Sequence, residues 1–119
     1  MSLLTNLICT SCSKTYDSEK LHTLCECGKV LFAQYDLEKA KETITNNLKN
    51  RPNNLWRMYE IMPCGPDYRF TLGEGNTPII NFLDEDNFQF QLKNEGFNPT
   101  GTFKARGLCA AVSRAVELG

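Results

Sequence analysis

FQFQLKNEGFNPTGTFKARGLCAAVSRAVELG, residues 88–119, contains the change of hydrophobic period on which the fold class turns. Phe88, Phe90 and Leu92 alternate with Gln89, Gln91 and Lys93, the period of a strand with one buried face. Asn98, Pro99 and Gly101 then break the chain. After the break the period lengthens, and Leu108, Ala111, Val112, Ala115 and Val116 fall on one stripe of a helix. The unit is strand, polar turn, helix, with Lys104 in the helix's first turn. Such a unit opens an α/β sheet and normally runs on to another strand. The sequence ends at Gly119, directly after the helix, so it is expected to be the N-terminal part of a larger protein.

Lys104 is an unusual residue for that position. A helix start carries roughly half a positive charge, which disfavours an ammonium and favours an anion. An amine held there sheds its proton more readily, above all if buried. The neutral amine is the nucleophile that forms a Schiff base with an aldehyde. A solvated surface lysine following a turn fits the same local pattern, so the residues around it must decide.

The chain has 119 residues and a formal net charge of −1. This length suits one domain with a real core. The absence of a basic excess argues against nucleic acid or anionic lipid as a partner. MSLLTNLI at the start lacks the cationic region of a signal peptide. No apolar stretch approaches the roughly 20 residues needed to span a bilayer. A soluble cytoplasmic protein is expected.

Residues 1–35 hold Cys9-x-x-Cys12 and Cys25-x-Cys27. Two such pairs can place four thiolates around one Zn²⁺ in tetrahedral geometry. The first pair has knuckle spacing, and the second is one residue shorter. Gly28 follows the second pair, where a chain folding back around a metal needs positive φ. A piece of roughly 30 residues also needs a staple, because burial alone does not hold it. Structural zinc is the favoured reading over two disulfides, which a cytosolic chain disfavours, and over a metal-free knuckle. Four cysteines complete the shell, leaving His22 as an exposed loop residue. Lys14, Lys20 and Lys29 balance Asp17, Glu19 and Glu26, so the module lacks the charge for phosphate binding.

Asp36 is placed to cap a helix over 37–50 with Leu37, Ala40, Ile44 and Leu48 on its apolar face. Arg51-Pro52 ends it. LWRMYEIM, residues 55–62, is an aromatic anchor for its own domain. Cys64 and Cys109 have no paired spacing and read as ordinary thiols, Cys109 buried on the second helix. TLGEGNTP, residues 71–78, is a glycine-punctuated loop before a strand at Ile79 and Ile80.

Taken whole, NPTGTFKARG closely resembles the lysine motif of the fold-type II pyridoxal-phosphate enzymes, and within them the threonine synthase group. TLGEGNTP resembles that group's second signature, and LWRMY fits the lead-in before it, so the resemblance spans essentially the whole chain. It implies an α/β protein with a zinc-ribbon-like module at 1–35, a helix and linker at 36–70, and the start of a pyridoxal-phosphate domain at 71–119. It further implies that Lys104 carries the Schiff base with pyridoxal 5'-phosphate and is the catalytic base, and that Phe103 packs on the cofactor ring. Asn76 and Thr77 are implied at the substrate end of the pocket, and Cys9, Cys12, Cys25 and Cys27 as ligands of structural Zn²⁺. Lys93 and Glu95 match a K-x-E pair that fixes the strand end or forms a plain surface ion pair. The implied reaction converts O-phospho-L-homoserine and water to L-threonine and phosphate, with a small amino acid as the ligand, no nucleic-acid or membrane partner, and room for a homo-oligomer in the full-length form. The cofactor's phosphate site lies downstream in the family, so these residues alone are expected to be inactive. Ala105 departs from the F-K-D-R-G of many threonine synthases. F-K-A-R-G also resembles threonine dehydratases and other relatives such as cysteate synthase, which remain alternatives. So does a non-catalytic zinc-ribbon interaction module.

Overall fold

The computed structural model describes residues 1–83 and 88–119. The chain begins with a three-stranded antiparallel sheet of β1 (Leu4–Cys9), β2 (Thr15–Asp17) and β3 (Leu31–Tyr35), ordered β2-β1-β3. Leu7 of the central strand stands opposite Tyr16 on one side and Ala33 on the other. Both turns of this sheet carry a cysteine pair. In the first, the Cys9 N–H donates to Lys14 O at 2.9 Å and the Ser13 N–H to Cys9 O at 3.2 Å. In the second, the Gly28 N–H donates to Cys25 O at 2.7 Å, with Gly28 at φ +78°. Only glycine takes that conformation without strain, as the sequence required.

Helix α1 (Leu37–Asn47) starts where expected, because Asp36 accepts a hydrogen bond from the Lys39 N–H at 3.0 Å. It is shorter than the 37–50 span the sequence suggested, and tightens into a 3₁₀ turn over Leu48–Asn50. Its packed face is also narrower: Ala40 is buried, while Leu37 is exposed. The helix lies against a 3₁₀ segment, Leu55–Ile61, whose Trp56 joins Cys64 and Cys109 in the buried cluster, flanked by Leu55 and Met62. The aromatic segment therefore anchors onto its own chain.

Strands β4 (Ile79–Leu83) and β5 (Gln89–Lys93) form an antiparallel hairpin, with Ile79 opposite Lys93 and Leu83 opposite Gln89. The strand before the lysine motif pairs antiparallel, and no parallel pairing occurs among the described residues. One expectation fails here. The apolar face of Phe88, Phe90 and Leu92 is exposed. The sequence alternation is real, and Phe90 stacks on Phe82 at 5.2 Å. Among the described residues no second layer covers that face.

Helix α2 (Lys104–Leu118) carries the stripe that the sequence marks. Its large apolar stripe is not the packed one: Leu108, Val112 and Val116 are exposed, as are Ala111 and Ala115. The buried side chains are Ala105, Cys109 and Ser113, one every fourth residue. These small groups let the helix come close enough to hydrogen-bond a neighbouring strand-like segment. The Cys109 Sγ–H donates to Phe70 O at 3.0 Å, and the Phe70 N–H donates to Ser113 Oγ at 3.0 Å. Burial, then the Glu74 carboxylate, push the Cys109 thiol up to about 11, which keeps it a donor. Further along, Arg114 reaches Ser18 O and Glu19, tying α2 to the N-terminal sheet, while Glu117 accepts from the Gly65 N–H at 2.9 Å. No helix among the described residues is long and apolar enough to cross a membrane.

Candidate functional site

Lys104 is the first residue of α2, within the first turn as expected. A turn closed by the Gly101 N–H on Asn98 O, at 2.8 Å, delivers the chain to the helix start. The Lys104 side chain is exposed. Together with Phe103, Gly107 and Leu108 it lines an open hollow of about 340 Å³. An amine and an aromatic ring thus lie side by side on one exposed edge.

Behind that edge lies a polar network centred on Glu95. Its carboxylate accepts from Arg106 Nε at 2.7 Å and Nη2 at 2.9 Å, from Thr77 Oγ1 at 2.5 Å and from Asn98 Nδ2 at 2.9 Å. Arg106, then Thr77 and Asn98, hold this carboxyl well below the usual range. Arg106 Nη2 also donates to Thr77 Oγ1 at 3.2 Å, and Asn98 Oδ1 accepts from the Gly75 N–H at 3.1 Å. The glycine loop is thereby fastened to the turn before α2. Gly75 is required where it stands: its φ is +93°, and a Cβ would lie 2.8 Å from the Leu55 nitrogen.

The expected site residues separate in this arrangement. Thr77 is buried, and its hydroxyl is occupied by Glu95 and Arg106. Asn76 is exposed at φ +49°, and its Oδ1 accepts from the Asn53 side chain. Lys93 and Glu95 take separate partners. Lys93 Nζ donates to Thr77 O at 3.0 Å, while Glu95 binds Arg106. Arg106 was not singled out from sequence. A guanidinium in the first turn of a helix, where a cation is disfavoured, was the available signal for a nearby carboxylate.

The second cluster is at the other end of the chain. The Sγ atoms of Cys9, Cys12, Cys25 and Cys27 all lie within 4.8 Å of one another. Cys9 and Cys27 approach to 3.5 Å, as do Cys12 and Cys25. A ZnS₄ tetrahedron with bonds of about 2.3 Å has edges of roughly 3.8 Å, so the four thiols fit one ion. The surroundings lower the thiols of Cys9 and Cys25, while hydrogen bonds from neighbouring cysteines raise those of Cys12 and Cys27. The Cys12 and Ser11 N–H groups point at Cys9 Sγ and lower its thiol to about 6. The Tyr16 hydroxyl donates to Cys25 Sγ at 3.1 Å and lowers that thiol too. His22 is outside the set, as expected, but it is not a free loop residue. Its ring meets Tyr16 edge-on at 5.0 Å, and its Nε2 is buried without a hydrogen-bond partner.

No protein-family model and no solved structure matches the chain. Curated relatives do. Threonine synthase of Methanocaldococcus jannaschii is 39% identical over 117 residues, covering 93% of this chain and 29% of the relative. That of Methanosarcina acetivorans is 30% identical over 119 residues, covering 96% of this chain and 29% of the relative. Over nearly its whole length the chain is similar to threonine synthases. A shorter stretch of 52 residues is 52% identical to threonine synthase of Halalkalibacterium halodurans, covering 41% of this chain and 15% of the relative. The chain spans 29% of the length of the first two of these relatives.

Proposed function

We propose that the chain is the N-terminal part of a pyridoxal-phosphate-dependent threonine synthase, which converts O-phospho-L-homoserine and water to L-threonine and phosphate. The observation that carries this reading is Lys104, placed at the first residue of α2 with Phe103 beside it on an open hollow, in a chain whose relatives are threonine synthases. Lys104 Nζ would hold the cofactor, and the Phe103 ring would cover one face of it. When bound, pyridoxal phosphate supplies an electron sink for the charge left on the substrate carbon as its α proton departs. Lys104 Nζ is then the group that takes that proton and returns it. Asn76, exposed at the tip of the glycine loop, is the residue offered to the substrate, and Thr77 holds the loop in place.

Cys9, Cys12, Cys25 and Cys27 would hold a structural Zn²⁺, because four thiolates close the coordination shell and leave no position for substrate. Ala105, the departure from the aspartate of many threonine synthases, is 3% exposed. At that burial it is a packing residue of α2 and does not reach the hollow, so the departure does not by itself favour a dehydratase. The test is phosphate release from O-phosphohomoserine by the complete protein and by its Lys104→Ala variant. Release that the substitution abolishes supports the assignment. Release equal in both proteins, or none from the complete protein, rejects it.

A further inference from the structure

We propose that Glu95 and Arg106 are positioning residues that set the direction in which the Lys104 side chain leaves helix α2. The inference rests on the reading of Lys104 as the cofactor-holding amine, and extends it to the Glu95–Arg106 pair behind it.

The argument starts with helix geometry. Residues advance by about 100° around an α-helix, so Arg106, two residues on, leaves about 200° away from Lys104. The two side chains point to nearly opposite sides. Whatever grips Arg106 on the inner side therefore fixes where Lys104 points on the outer side. The grip is two-pronged: Nε and Nη2 each reach a different oxygen of Glu95, at 2.7 and 2.9 Å. A planar fork on a carboxylate fixes rotation as well as distance, which a single hydrogen bond does not.

The start of α2 needs such a device. Phe103, the residue before the helix, gives no side-chain capping bond. The Lys104 N–H has only a long contact, 3.4 Å, to Thr102 Oγ1. Among the described residues, Arg106 is the first α2 side chain to hydrogen-bond outside its own helix and turn. Its partner is itself held. Glu95 also takes the Thr77 hydroxyl and the Asn98 amide, so the glycine loop, the turn after β5 and the first turn of α2 share one carboxylate. Loss of Glu95 would remove the shared carboxylate, and loss of Arg106 would release the first turn of α2 from it. The pair is partly exposed, at 30% for the arginine and 26% for the glutamate side chain, so the reason for keeping it is geometric more than energetic.

The test is reductive trapping. The complete protein is incubated with pyridoxal phosphate and treated with borohydride, and mass spectrometry gives the share of pyridoxyl label on Lys104 relative to the chain's other lysines. Arg106→Lys keeps the charge and loses the fork, while Glu95→Gln keeps the shape and loses the charge. In the wild type the label concentrates on Lys104. In either folded variant the Lys104 share falls about tenfold or more, the scale set by a small misplacement of a reacting group, while labelling of the other lysines is unchanged. A share equal to wild type in a folded variant overturns the proposal, and if one variant fails to fold the other decides. A wild-type protein that leaves Lys104 unlabelled instead sinks the assignment of that amine, a separate outcome.

Discussion

The support under the glycine loop gives the sharpest stability prediction. Arg51 Nη1 and Nη2 grip Glu60 at 2.7 and 2.6 Å, with the two side chains 8% and 2% exposed. The same guanidinium donates to Arg57 O at 2.7 Å and lies 4.2 Å over the Tyr59 ring. This pair shapes the 3₁₀ segment that carries Trp56, and the Leu55 N–H of that segment holds Glu74 O of the loop at 3.2 Å. Arg51→Met leaves a buried carboxylate without its cation, which costs about 3 kcal/mol at the low end of such losses. A chain of 119 residues has an unfolding entropy of about 0.25 kcal/mol/K, so the melting temperature falls by about 12 °C. Arg51→Met/Glu60→Leu removes both charges together and should stay within about 1 kcal/mol of wild type. Acidification checks the same pair. Arg51 holds the Glu60 carboxyl below its ordinary 4.5. A lowered carboxyl stabilises the fold above its unfolded value, and the stabilisation is lost as pH falls through the folded value. Wild type should thus lose stability below about pH 4.5 by a component absent from the double variant. Thermal unfolding followed by circular dichroism at neutral and acid pH measures both effects. A single variant within about 0.5 kcal/mol of wild type, or a double variant as unstable as the single, refutes the reasoning.

Four other outcomes follow from the geometry. Cys9→Ser and Cys25→Ser should each take bound zinc from one ion per chain to essentially none by elemental analysis, and unchanged metal content removes the proposed ligand set. Gly75→Ala should cost about 1–3 kcal/mol in chemical denaturation, because the left-handed backbone and the Leu55 nitrogen both oppose a Cβ. Gly107→Ala, in the helix with nothing within 4 Å, should be neutral or stabilise by up to about 1 kcal/mol. In the 119-residue chain Val112→Glu should shift stability by less than about 0.5 kcal/mol. Ser113→Leu, at a fully buried position, should cost about 1–3 kcal/mol, and the reverse order would show that the apolar stripe is the packed one.

Local signals in this chain translated well. Asp36 caps α1, Gly28 turns the second cysteine pair, and the Asn98 to Gly101 break sets Lys104 at the start of α2. Each depends on a few neighbouring residues whose preferences act alone. The failures concern faces and distant partners. Leu108, Val112 and Val116 dominate the helical period, yet the side that packs is chosen by what fits against Phe70, and small Cys109 and Ser113 fit. The alternation in β5 marks a strand correctly but cannot show whether a second layer covers it. Lys93 and Glu95 look like a local pair because they are two residues apart. Their actual partners, Thr77 and Arg106, are 16 and 11 residues away and come together only through the hairpin and the turn. The cysteine cluster was legible because four ligands at knuckle-like spacings constrain one another more than any periodic pattern does.

The central claim concerns the Lys104 amine, and spectroscopy reaches it most directly. The complete protein and its Lys104→Ala variant are titrated with pyridoxal phosphate, and the absorbance of the protein-bound chromophore is recorded. A band that forms in the wild type and is missing from the variant is the predicted result. No band in either protein, or the same band in both, contradicts the account.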